Sequence, residues 1–208
     1  MTLPIIKALL LLAGAGHLLL WRCDWMLTCL DGGRFNFKAL QDNAAFSAVI
    51  GQTPPSRPLW AAMAGVFGMA VELFGYLALS EWVKPFAPAC SALMLVGGVL
   101  YAAVGAVHHM LCGMLEWLYI RIGRTEQARR QVLELFQKTS STMYVCYLGL
   151  LLFAVGLLVA VAGGCTTLPR WACLFNVFPL FLVLAPFHLV GTGNIACAIM
   201  FLGLFALL

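Results

Sequence analysis

The sequence predicts an all-α polytopic membrane bundle of about six spans, and three observations predict it. Of the 208 residues, 63% are hydrophobic and only 10% are charged, against roughly 25% charged in an average soluble domain. The mean hydropathy is +0.97, which leaves too little polar surface for a water-soluble chain of this length. The apolar runs are long and lack the period-two alternation of strands, so helices carry them. Twenty glycines and nine prolines agree, because both are more frequent in membrane helices than in soluble ones.

A helix crosses the hydrocarbon core with about 20 mostly apolar residues. Six segments qualify, at 3–30, 58–80, 88–119, 143–163, 169–187 and 194–208, and they make residues 1–208 one integral membrane domain. The first is overlong and interrupted by Arg22 and Asp24. Its start, MTLPIIKALLLLAGAGH, has signal-peptide features, but Lys7 comes late and the apolar run continues through LLLW, so it reads as a span. The fourth carries no charge. The fifth and sixth are divided only by HLVGTGN, and a hairpin that does not fully cross is the alternative for them.

Lys and Arg placement sets orientation. The loops at 31–57 and 121–142 hold Arg34, Lys38, Arg57, Arg121, Arg124, Arg129, Arg130 and Lys138, while the opposite side holds Lys7, Lys84 and Arg170. Eight against three places those two loops in the cytoplasm and both termini outside a cell membrane. Within the second loop, residues 125–138 read as a short amphipathic helix with Ala128, Val132, Leu135 and Phe136 on one face. It either lies among anionic lipid headgroups or extends the third span. Phe35, Phe37, Leu40 and Phe46 of the first loop are expected at the same interface. A net charge of +4 without a basic soluble domain argues against nucleic-acid binding. No internal repeat supports an inverted-repeat transporter.

Ionisable groups at membrane depth are costly and are functional candidates by default. Glu72 is the most informative, because it sits near mid-span in a stripe with Gly65, Gly68 and Gly75, where a neighbouring helix can approach. Asp24 shares a helical face with His17, seven residues earlier. In VGAVHHMLCGMLEW, His109 and Glu116 are seven apart, while His108, Cys112 and Glu116 follow at intervals of four. Imidazole and carboxylate together suit a proton, a metal ion or a water nucleophile. The candidate polar site is therefore Asp24, Glu72, His108, His109 and Glu116, with His17, Cys112, Asn176 and His188 as weaker members. The competing reading makes Glu116 wet at the cytoplasmic boundary, beside Trp117 and Tyr119, and the histidines simple interhelical bonding partners. Asn176, Pro179 and Pro186 mark a kink in the fifth span.

The eight cysteines form no Cys-x-x-Cys pair, and buried thiols act as small hydrophobes; Cys90 and Cys165 share the outer side, where a pairing stays open. CDWMLTCL, AVHHMLC and LPRWACLFNVFP together resemble an uncharacterised family of small bacterial multi-pass membrane proteins, a domain of unknown function. The likeness rests on Asp24, on His108 followed by Cys112, and on Leu168, Pro169, Arg170 and Trp171 before Asn176. It implies a helical membrane fold and no activity.

Binding or transport of a small solute, cation or proton through a polar cavity ranks first. A metal-dependent intramembrane hydrolase acting on a lipid is the main alternative, with metal-activated water as nucleophile. That picture is somewhat similar to the ceramidase-type membrane enzymes, although the spacing of their motifs is absent. A haem protein using histidines from different spans and a structural or partner-binding subunit, monomeric or oligomeric, complete the set. No His-Glu-x-x-His, nucleophile elbow or phosphate loop is present.

Overall fold

The computed structural model describes residues 1–208, and they form eight α-helices. These are α1 (Leu3–Thr28), α2 (Asn43–Ile50), α3 (Ser56–Val83), α4 (Pro88–Arg121), α5 (Glu126–Thr139), α6 (Ser141–Ala162), α7 (Val177–Leu184) and α8 (Thr192–Leu207). Four helices are long and apolar enough to cross a membrane: α1, α3, α4 and the run from α5 into α6. They fit a membrane protein, and their outward faces carry large apolar side chains such as Trp60, Phe67, Leu95 and Leu148.

Neighbour follows neighbour around the bundle as α8, α1, α3, α4, α6. The 3-10 turn Arg170–Phe175 touches both α6 and α8 and closes the ring. Glycine governs how closely the helices approach. A Cβ added at Gly97 of α4 would lie 2.5 Å from Phe153 N and 2.6 Å from Gly149 O of α6. The two backbones therefore meet directly there, as small residues allow between membrane helices. Tyr76, Met94, Phe153 and Phe201 fill the centre of the same core.

The segment expected as a fifth span at 169–187 is not one helix. It runs as the turn Arg170–Phe175, then α7, then a second 3-10 turn at Ala185–Phe187. Proline supplies part of the reason, since it withholds a backbone donor and Pro179 and Pro186 fall within this stretch. Asn176 supplies the rest. Its Oδ1 accepts from Phe178 N at 3.1 Å and starts α7 anew, while its Nδ2 donates to the Ala154 carbonyl of α6 at 2.9 Å. The chain passes from Leu168, packed in the main core, to His188, whose carbonyl accepts from Arg34 at 3.0 Å.

The first loop folds on itself. A two-residue hairpin, β1 (Cys29–Leu30) with β2 (Gly33–Arg34), leads into α2, which the Asp42 side chain caps by accepting from Ala45 N at 2.7 Å. Phe46 packs on Tyr119 with ring centroids 4.2 Å apart, and Tyr119 donates to Asn43 Oδ1 at 2.9 Å. The amphipathic helix expected at 125–138 is α5, capped by Thr125. Part of its apolar face is covered by the chain itself: Ala128 and Val132 are buried with Leu40, Phe46, Ile50 and Leu115, and Phe136 stacks on Phe37, while Leu135 stays exposed. Arg129 turns inward, bonding the Leu40 carbonyl at 2.7 Å and Glu126 at 2.6 Å. Of the first-loop aromatics, Phe46 is buried and Phe35 partly so, which leaves Phe37 as the exposed one. All eight cysteines are unpaired.

Gly97→Ala is expected to destabilise the purified protein by about 1–3 kcal/mol through overpacking against backbone. Gly193→Ala, whose added Cβ meets nothing within 4 Å, is the control without that loss; thermal unfolding in detergent compares them. Asn176→Ala removes the side-chain bond to the Ala154 carbonyl and uncaps α7, costing about 1–2 kcal/mol, and faster hydrogen exchange confined to α7 is the readout.

Candidate functional site

The glycine stripe on α3 brings α1 and α4 close, and the polar residues meet at that junction. A Cβ at Gly65 would fall 1.8 Å from His109 Cδ2, so only glycine leaves room for that imidazole. Gly16 of α1 lies against the Gly68 carbonyl in the same way, at 3.1 Å from its would-be Cβ. Glu72 is completely buried beside this contact.

A chain of side chains runs from Glu72 toward one end of the bundle. Glu72 Oε2 lies 3.0 Å from His17 Nδ1, and both side chains are sealed from solvent. His17 Nδ1 is also 2.9 Å from Asn194 Oδ1 of α8. Asn194 Nδ2 donates to Asp24 Oδ2 at 2.8 Å, which makes its Oδ1 the acceptor and puts a hydrogen on His17 Nδ1. In the neutral ring, Nε2 then accepts from the Tyr76 hydroxyl at 3.0 Å. The Nδ1–H points at Asn194, so both Glu72 oxygens lack a true hydrogen-bond donor. The ring itself sits between Phe201 and Tyr101, stacked at centroid distances of 5.5 and 6.2 Å.

Asp24 forms the outer end of this chain and a wall of a cleft. Its Oδ1 is 3.8 Å from His109 Nδ1, beyond hydrogen-bond reach. His109 Nε2 donates to the Ala61 carbonyl at 3.2 Å, so the neutral ring presents Nδ1 as an acceptor. His108 Nδ1 donates to Thr142 Oγ1 at 3.0 Å, because that hydroxyl's own hydrogen goes to the Thr139 carbonyl. Its Nε2 is left to accept from the Cys112 thiol at 3.6 Å.

The cleft has a volume of about 210 Å³ and is bounded by Asp24, His108, His109, Cys112 and Glu116 together with Phe35, Phe37, Phe46 and Phe136. An adjoining recess of about 470 Å³ shares Asp24, His108 and His109 and extends to Tyr101 and Asn194. Glu116 is not wet: it is 7% exposed, and its Oε2 is buried with no partner. Arg57 stacks over Trp25 and is tied to the Met26 and Cys29 carbonyls.

The structure thus gathers Asp24, His108, His109, Cys112 and Glu116 around one cleft and joins Glu72 and His17 to it through Asn194. It leaves two candidates out. Asn176 serves the backbone of α7 and α6, and His188 is exposed, engaging Arg34 through its carbonyl only. Asn194 and Tyr76 were missed. Tyr76 stands one helical turn after Glu72 and so shares its face, and Asn194 is the one amide side chain in the last apolar segment; both signals were legible. No three His, Cys, Asp or Glu side chains are grouped closely enough to hold a metal ion. Both ring nitrogens of His17 are engaged, so it is not free to ligate haem iron.

No curated protein and no solved structure matches the sequence. A family model does, the "Family of unknown function (DUF6796)", over residues 1–208. The chain therefore belongs to the DUF6796 family, whose function is not established.

Proposed function

We propose that the protein binds a small organic cation in the cleft between α1, α4, α5 and the first loop. One observation carries the reading: Glu116 lines the cleft with a buried carboxylate oxygen that no donor satisfies. A buried carboxylate oxygen without a hydrogen-bond donor is expensive, Arg57 acts on Glu116 only through space, and a ligand that brings positive charge lowers the cost. Asp24 adds a second carboxylate to the same wall, and no Lys or Arg lines it. Aromatic rings form much of the remaining surface, which suits the apolar body of a cation and adds attraction between the charge and the ring faces. The volume limits the ligand to a few carbon–carbon bonds across.

In the same reading the chain crosses a bilayer six times with its termini outside. The packing of the turn Arg170–Phe175 on α6, of α7 on α8 and of α8 on α1 supports this count, as does the eight-to-three bias of basic residues. The cleft then opens near the cytoplasmic headgroups.

Titration calorimetry of the purified protein in detergent with benzyltrimethylammonium tests the cleft. Saturable binding is expected, weakened at least tenfold in Glu116→Gln and in Asp24→Asn; no saturable binding, or equal affinity in both variants, sinks the reading. Orientation is tested in intact cells with a membrane-impermeant maleimide. A variant keeping Cys165 alone, which is exposed at the end of α6, is expected to label without permeabilisation.

A further inference from the structure

We propose that Glu72 and His17 together hold one exchangeable proton, and that this proton leaves when a cation occupies the cleft beside Asp24. The inference rests on the cleft reading for its cation and on independent geometry for its proton.

The geometry of the pair comes first. Glu72 is 0% exposed, and neither of its oxygens receives a hydrogen bond. His17, its contact at 3.0 Å, is equally buried. The titratable groups facing the pair are Asp24 on α1, Tyr76 on α3, Tyr101 on α4, Cys146 on α6 and Cys197 on α8. No Lys or Arg is ion-paired or hydrogen-bonded to any of them. With one proton beyond the neutral-ring, carboxylate state, the pair has no net charge, either as two neutral groups or as imidazolium and carboxylate. Without it, an uncompensated negative charge remains in an apolar interior, which is strongly disfavoured. The proton is therefore retained until positive charge arrives from elsewhere.

Asn194 is the link. Its amide spans His17 Nδ1 and Asp24 Oδ2 at 2.9 and 2.8 Å, so the hydrogen-bonding state of one end is felt at the other. A cation seated on Asp24 adds one positive charge to the network, and loss of one proton from the pair restores the original total. The proton passes from the His17–Glu72 pair to water by way of the recess, where Tyr101 and Asn194 adjoin both the ring and the open volume. No covalent bond other than that to hydrogen is made or broken, and no co-reactant is needed. Exchange of this kind is the elementary event of cation–proton counter-movement.

The test uses the full chain in detergent and the same probe, benzyltrimethylammonium, titrated at one pH in phosphate and in Tris, whose ionisation enthalpies differ. For the wild type the heats are expected to differ by the release of up to one proton per cation bound. In Glu72→Gln the cation is expected to bind with the same heat in both buffers. Release that persists in Glu72→Gln, or wild-type binding whose heat ignores the buffer, overturns the coupling. If Glu72→Gln does not fold, His17→Gln supplies the same comparison. If the wild type binds no cation, the cleft reading and the coupling fail together, and the proton pair is judged alone by potentiometric titration. Wild type and Glu72→Gln are then expected to differ by one bound proton, and identical curves reject the pair as a proton site.

Discussion

A carboxylate sealed among apolar helices has to find its counterpart inside the protein, and the architecture of this chain follows from that requirement. Glu72 lies on α3 and is completely buried. Its neighbour His17 comes from α1, and the partners of His17 come from α8 and from α3 itself. Three helices are thereby held in one register by groups that would each be unfavourable alone. Hydrogen bonds of this type contribute modestly between membrane helices, but leaving any member unpaired costs more than the bond returns. The network works less by adding stability than by excluding other packings.

That network exists only because the helix backbones approach unusually closely. Glycines on facing helices set the spacing. Gly16 meets the Gly68 carbonyl, Gly65 admits the His109 ring, and Gly97 and Gly149 let α4 and α6 touch main chain to main chain. Larger side chains at these points would hold the helices apart and leave the polar groups facing voids. Packing and electrostatics are therefore one constraint here, since the glycines decide the distances across which the charges interact.

The first loop and α5 form a second layer with a different role. Phe46, Tyr119, Ala128 and Val132 make a small core of their own, and Arg124 and Arg129 hold backbone carbonyls of the loop, Gly51 and Leu40. This cap rests over the end of α4 where His108, His109 and Glu116 lie, and its aromatic residues wall the cleft. Of the apolar face of α5, Val132 and Phe136 help form the cleft's wall. An amphipathic stripe states only that an apolar face must be covered, and it does not say whether lipid or protein covers it.

From its sequence alone the chain was already determined to be helical and apolar, with Glu72, Asp24 and the histidines of α4 as its costly polar residues. Composition and the length of apolar runs decide those matters locally. The sharing of a face by His17 and Asp24, and the glycine stripe around Glu72, were equally legible, because helical periodicity fixes angular position on a single helix. Only the tertiary structure decided that Asn194 bridges His17 and Asp24, that Glu116 is dry, and that Asn176 restarts a broken segment. Each depends on which residue of another helix stands opposite, at a depth set by backbone contacts across the bundle. One helix's periodicity contains no information about its neighbour's register, so the pairing of these groups had to be read from the assembled fold.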